Sequence, residues 1–202
     1  MNFPEGTRVI DSESYEKRLE RILEFKDKNH KHPNILAIRY RNEGYNTVIK
    51  ERYLGANIVT EHGETYYAKR GALQPVIAGQ GATHMQLANP ATATTPAANH
   101  DYDNLLTPIA GSLKAIDAGY PKAPDDDTNN ADRAAYVITY RVTYTATDFN
   151  ATNIKNGAVF GTASPTTNTP IIALFTFPAP GSFTKEATDT LQVWANHSVA
   201  GA

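Results

Sequence analysis

The stretch AAYVITYRVTYTATDF, residues 134–149, constrains this chain more than any other. Tyr136, Ile138, Tyr140, Val142 and Tyr144 fall on one parity, and Thr139, Arg141, Thr143 and Thr145 on the other. Side chains alternate across a strand, so this is a long half-buried strand with an aromatic and aliphatic face for a core and a Thr-rich face for water or a neighbour. Such a strand needs a sheet. After it come NIKNGAVFG (153–161), IIALFTF (171–177) and TDTLQVWANHSV (188–199), separated by SPTTNTP and the link PAPGSFTKEA. Short strands parted by Pro, Gly and Asn turns predict a mainly β chain, an antiparallel β-sandwich over residues 46–202.

The first 45 residues read differently, as an N-terminal helical and extended charged arm. SESYEKRLERILEFKDK, 12–28, predicts a helix capped by Asp11 or Ser12, with Tyr15, Leu19, Ile22 and Leu23 along one face. Its apolar stripe is narrow, and isolated helices of this length are marginal in water. It is therefore expected to dock on its own domain or on a neighbouring subunit. Pro33 stops it. NILAIRYR (34–41) and YNTVIKERYLGANIV (45–59) are candidate strands, the second broken at Gly55. Thr60 is a candidate cap for a helix through EHGETYYAKR, with Gly71 as its left-handed C-terminal residue. Residues 79–104 and 119–133 read as long surface loops. Charge is also uneven: residues 1–72 hold 13 Lys and Arg against 11 Asp and Glu, residues 73–202 only 6 against 10.

Composition narrows the chemistry. There is no cysteine, which removes disulfides, thiolate metal sites and cysteine nucleophiles and suits folding in a reducing compartment. No window approaches the ~20 apolar residues of a membrane helix, and MNFPEGTRVIDSES lacks the character of a leader, so a soluble, cytoplasmically made protein is expected. Without a leader, the glycosylation patterns at Asn150 and Asn196 read as accidental. Neither part has the one-sided basicity of a nucleic-acid binder. Histidine spacing matches no zinc motif. Asp125, Asp127 and Asn129 begin like a calcium loop, but Asn130 and Tyr136 stand where such a loop needs Gly and Glu. His197 and Ser198 are strand neighbours pointing opposite ways and cannot pair as base and nucleophile. Asp148 and Asp189 suit turn chemistry at strand ends. No catalytic, cofactor-binding or metal site is expected, and the chain reads as a non-enzyme; a two-carboxylate glycan hydrolase is the enzymatic alternative.

The succession NIVTEHGETYYAKRGA, GYPK, VITYRVTYTATDFNATNIKNGAVFG and FTKEATDTLQVWANHSVAG resembles a widespread group of tailed-bacteriophage virion structural proteins. Those proteins carry a Tyr and Gly segment, then a YT-x-x-DFN strand end, and finish on a K-x-x-(T/S)DTL-x-V strand. The resemblance covers roughly residues 57–202. It implies a non-enzymatic, multi-copy part of the virion, synthesised in the host bacterial cytoplasm. In that role the chain is a capsid decoration or cement protein that binds the assembled shell of major capsid protein and stabilises it. Implied partners are the major capsid protein or other virion proteins, and further copies of the chain, for instance in a trimer; no nucleic acid, membrane or cofactor is implied. The alternative is a neck, tail or fibre accessory protein contacting host-surface glycans. The interface candidates are Tyr15, Leu19, Ile22 and Leu23 packing the arm, and Arg39, Arg41, Lys50 and Arg52 meeting acidic patches on the shell. Packing within the chain or a solvated surface is the equal alternative for each.

Overall fold

The computed structural model describes residues 35–42, 48–122, 137–177 and 182–198. The predicted helix with Tyr15, Leu19, Ile22 and Leu23 lies outside these, as do Asp125, Asp127 and most of the second loop. In chain order the elements are β1 (Ile35–Asn42), β2 (Val48–Val59), α1 (Glu61–Gly71), β3 (His84–Ala88), a 3-10 turn (Tyr102–Asn104) and β4 (Lys114–Ala115). Then follow β5 (Val137–Tyr144), β6 (Ala151–Ile154), β7 (Asn156–Phe160), β8 (Ile171–Thr176), β9 (Phe183–Lys185) and β10 (Asp189–Ser198). Eight strands form one sheet in the order β4-β3-β7-β8-β2-β1-β10-β5, and β6 pairs with β9 separately. Each pairing is antiparallel.

Strand β2 joins the halves of the large sheet. Val48–Gly55 pairs with β1, and Ala56–Val59 pairs with β8. Gly55 stands at the changeover, where a Cβ would lie 2.6 Å from the Thr176 carbonyl oxygen and 3.0 Å from Ile35 Cβ. Only glycine lets the two neighbours approach this closely. The break predicted at Gly55 is thus a change of partner along one continuous strand.

The sheet folds over so that its own inner face makes the core, the arrangement of a sandwich. Ile35, Tyr140, Val142 and Val193 from one half share a buried cluster with Met85, Leu87, Val159 and Phe175 from the other. Register explains the layering: Ala37, Val193 and Val142 line up across β1, β10 and β5, as do Ile35, Ala195 and Tyr140. The parity predicted for β5 holds from Tyr140 to Tyr144, while Thr139, on the other face, is fully buried. Tyr140, Val142 and Tyr144 are at most 1% exposed, whereas Arg141 and Thr143 are half-buried on the other face. Each of these core side chains contributes roughly 1.5–3 kcal/mol by leaving water.

The two ends of the sheet meet. Residues that follow β4 run along the free edge of β5: the Asp117 N–H donates to the Arg141 carbonyl at 2.9 Å, and Lys122 and Thr139 exchange two backbone hydrogen bonds of 2.9 Å. An edge that would otherwise present unpaired backbone groups is covered.

Helix α1 begins where Thr60 predicts. The Thr60 hydroxyl oxygen accepts from the Gly63 N–H at 3.0 Å and donates to the Ile171 carbonyl, tying the cap to β8. Three expectations are corrected. Residues 79–104 are not loop throughout, because His84–Ala88 forms β3, with Met85, Leu87 and Ala88 fully buried. Its polar Gln86 hides the strand from sequence patterning, yet accepts from the Tyr102 hydroxyl at 2.7 Å and is buried too. The link PAPGSFTKEA contains β9. The left-handed residue ending α1 is Leu73, not Gly71.

Candidate functional site

The two stretches that carry the virion-protein resemblance, TDFN and KEATDTL, come together beneath the end of β5. Thr145 donates its N–H and its hydroxyl to Asp148 Oδ2 at 2.5 and 3.0 Å, and Lys114 Nζ donates to the same oxygen at 2.6 Å. Burial works to raise the Asp148 carboxyl, but the Lys114 ammonium and the Thr145 donors outweigh it and hold the carboxyl below its ordinary value. The turn places Phe149 edge-on to Tyr144, ring centroids 5.2 Å apart. Lys185, from the second stretch, then donates Nζ to the Phe149 carbonyl at 2.9 Å and sits 5.2 Å from the Phe149 ring. Lys185 is wholly buried, and burial pushes its ammonium pKa down.

The same stretch closes on itself through Asp189. Glu186 N–H donates to Asp189 Oδ2 at 2.8 Å and Asp189 N–H donates to the Glu186 carbonyl at 3.1 Å, fixing the turn from β9 to β10. Arg39 and Arg41 complete this cluster. Arg39, 8% exposed, donates to the Thr184 carbonyl and lies 3.8 Å from Asp189. Arg41 donates Nε to Asp189 Oδ1 at 3.2 Å and lies 2.9 Å from Glu186. Two predicted interface arginines are therefore engaged inside the chain. They reach Asp189 because β1 runs beside β10, with Arg41 directly opposite Asp189 in register. Lys50 and Arg52 register opposite Tyr40 and Ile38 on β1, and their side chains lie outside the described set.

At the other end of β10 a second polar group is sealed in the core. The Tyr67 hydroxyl lies 2.5 Å from His197 Nδ1 and 3.0 Å from the Tyr140 hydroxyl. His197 is fully buried, and burial drives its pKa down to about 3. Its Nε2 has no hydrogen-bond partner among the described residues, so a proton there would create a buried cation without an acceptor. Burial raises both phenols as well, and contact between Tyr67 and Tyr140 adds to the effect on Tyr67. All three groups stay neutral near pH 7. Sequence patterning misses this network because Tyr67 sits on a charged helix far away in the chain.

The outer faces hold less enclosed chemistry. An open groove of about 730 Å3 runs between β6, β9 and residues 108–110, lined by Asn89, Asn150, Thr152, Thr184 and Glu186 among others. Glu186 is the one carboxylate in this lining, beside Lys185. On the outer face of β5 and β10, the Arg141 guanidinium lies 4.5 Å from the Tyr120 ring and 5.4 Å from Trp194, whose rings meet edge-to-face at 5.8 Å. His100 is used locally: its Nδ1 accepts from the Ala97 N–H at 3.3 Å, while neighbouring Asp101 caps the 3-10 turn. Among the described residues no three His, Asp or Glu side chains are grouped to hold a metal ion.

Protein families, curated proteins and solved structures give no match to this chain. Within its own geometry, Asp117, Asp148 and Asp189 are each paired with basic groups at turns and strand ends. No helix of the described residues is long and apolar enough to cross a membrane.

Proposed function

We propose that this chain is a non-enzymatic structural protein of a tailed-bacteriophage particle, a capsid decoration or cement protein that binds the assembled shell of major capsid protein and stabilises it. The observation that supports the reading is the junction of TDFN with KEATDTL. Lys185 grips the Phe149 carbonyl, Asp148 holds Lys114, and Asp189 gathers Arg39 and Arg41. Residues shared with the resemblance build turns and buried or half-buried ion pairs, as suits a module whose work is to keep its shape against a lattice. Cement proteins act through buried area and multiple attachment, not through reactive groups.

Copy number tests the proposal. Quantitative mass spectrometry of purified virions should find the chain in a fixed, large ratio to the major capsid protein, and light scattering of the free protein reports whether it associates as a trimer. Absence from the particle overturns the reading. A handful of copies per particle would instead favour the neck, tail or fibre alternative. The half-buried Tyr120, Arg141 and Trp194 cluster favours that second reading, since rings beside planar donors suit sugar stacking; binding on a glycan array would support it.

A further inference from the structure

Helix α1 ends in a pattern that normally selects glycine. Gln74 N–H donates to the Lys69 carbonyl at 2.8 Å and Leu73 N–H to the Arg70 carbonyl at 3.2 Å. This pair of bonds requires the residue after the cap to be left-handed, a conformation in which a β-carbon is strained. That residue is Leu73, with φ 56°. The left-handed turn serves the cap, but the leucine side chain it carries gains nothing inside the fold, because Leu73 is 93% exposed. Ile77 follows at 58% exposed, in a run Leu-Gln-Pro-Val-Ile-Ala that ends at Gly79, also left-handed. Gly161 lies hard against the Gly79 carbonyl and anchors the base of this tip. A strained backbone holding a large apolar side chain out in water points to a use outside the chain.

The surroundings identify the occupant. Lys69 and Arg70 end the helix beside the tip, and neither forms an ion pair among the described residues. In a two-fold contact between copies the same patch serves both sides, so these cationic collars would be brought together, which disfavours a two-fold dimer through this tip and favours an acidic partner surface. We infer that residues 73–77 are a docking tip that seats Leu73 and Ile77 in an apolar socket with an acidic rim on the shell subunit. This inference rests on the decorating role proposed above.

The test uses the full chain and shells prepared without it from the phage that encodes it. Leu73→Gly should keep or raise the thermal midpoint, because it relieves the left-handed strain, and yet weaken shell binding at least tenfold. Ile77→Asp should weaken binding similarly with an unchanged midpoint, and a photo-reactive residue at 77 should cross-link to the shell subunit. Lys69→Glu with Arg70→Glu should slow association at low salt. Wild-type protein that binds shells while Leu73→Gly binds equally well overturns the inference and leaves the decorating role standing. Cross-links from 77 to a second copy of the chain also overturn it. Wild-type protein that does not bind shells overturns the decorating role and the inference together.

Discussion

Asp117 and Arg141 hold each other twice. The Asp117 N–H donates to the Arg141 carbonyl at 2.9 Å, and Arg141 Nε donates back to Asp117 Oδ2 at 2.6 Å. The same carboxylate accepts from the Thr143 N–H at 3.0 Å and from the Thr143 hydroxyl at 2.7 Å. One side chain thus satisfies groups on the edge of β5 that the backbone of residues 116–122 leaves open. Asp117→Ala should cost roughly 2–3 kcal/mol, the scale of hydrogen bonds to a charged group, read by urea denaturation. It should also raise light scattering on storage, because an uncovered edge recruits other chains. Asp117→Asn keeps an acceptor for Thr143 and should lose less.

His197 makes stability depend on pH. Its folded pKa, about 3, lies below the unfolded value of 6.5, so the unfolded chain binds the extra proton first as pH falls. Stability from this group is full above pH 6.5 and is lost progressively between 6.5 and about 3, by at most about 1.4 kcal/mol per pH unit. Asp148, held below its ordinary value of 3.8, adds a loss that sets in as pH falls below that value, overlapping the acid end of the His197 window. His197→Gln keeps a polar partner for Tyr67 and does not titrate. Its unfolding free energy should be flatter than wild type between pH 6.5 and 4.5, and an equal slope in both proteins would refute the assignment to His197.

Asp189 and Arg41 should differ sharply despite being partners. Asp189→Ala removes a fully buried carboxylate that serves Arg39, Arg41 and the Glu186 N–H together, and should cost roughly 3–5 kcal/mol. Arg41, whose side chain is 25% exposed, should cost about 1 kcal/mol or less as Arg41→Ala. Chemical denaturation of the two variants at neutral pH compares them directly.

Two backbone positions predict opposite signs. Gly55→Ala places a methyl against the Thr176 carbonyl and Ile35, and should destabilise the joint of the sheet by roughly 1–3 kcal/mol. Leu73→Gly should stabilise by about 1 kcal/mol by relieving a left-handed residue at a helix end. Calorimetry on both variants reads the sign without any partner present.

Alternation in VITYRVTY is a local property, enough to specify β5, its inward tyrosines, and an antiparallel, mainly β domain. Local chemistry likewise determined the Thr60 cap and the use of Asp148 and Asp189 in turns, because a cap or turn closes within three residues. The rest depends on contacts made across the folded chain. Strand β3 exists because β7 pairs with it and Tyr102 satisfies Gln86 from a distant turn. Arg39 and Arg41 became internal when β10 brought Asp189 beside them, a contact some 150 residues away that no spacing rule contains. The sealed Tyr67, Tyr140 and His197 network and the strained Leu73 are decided the same way. Burial and backbone handedness belong to the folded chain, and a pattern of residues records neither.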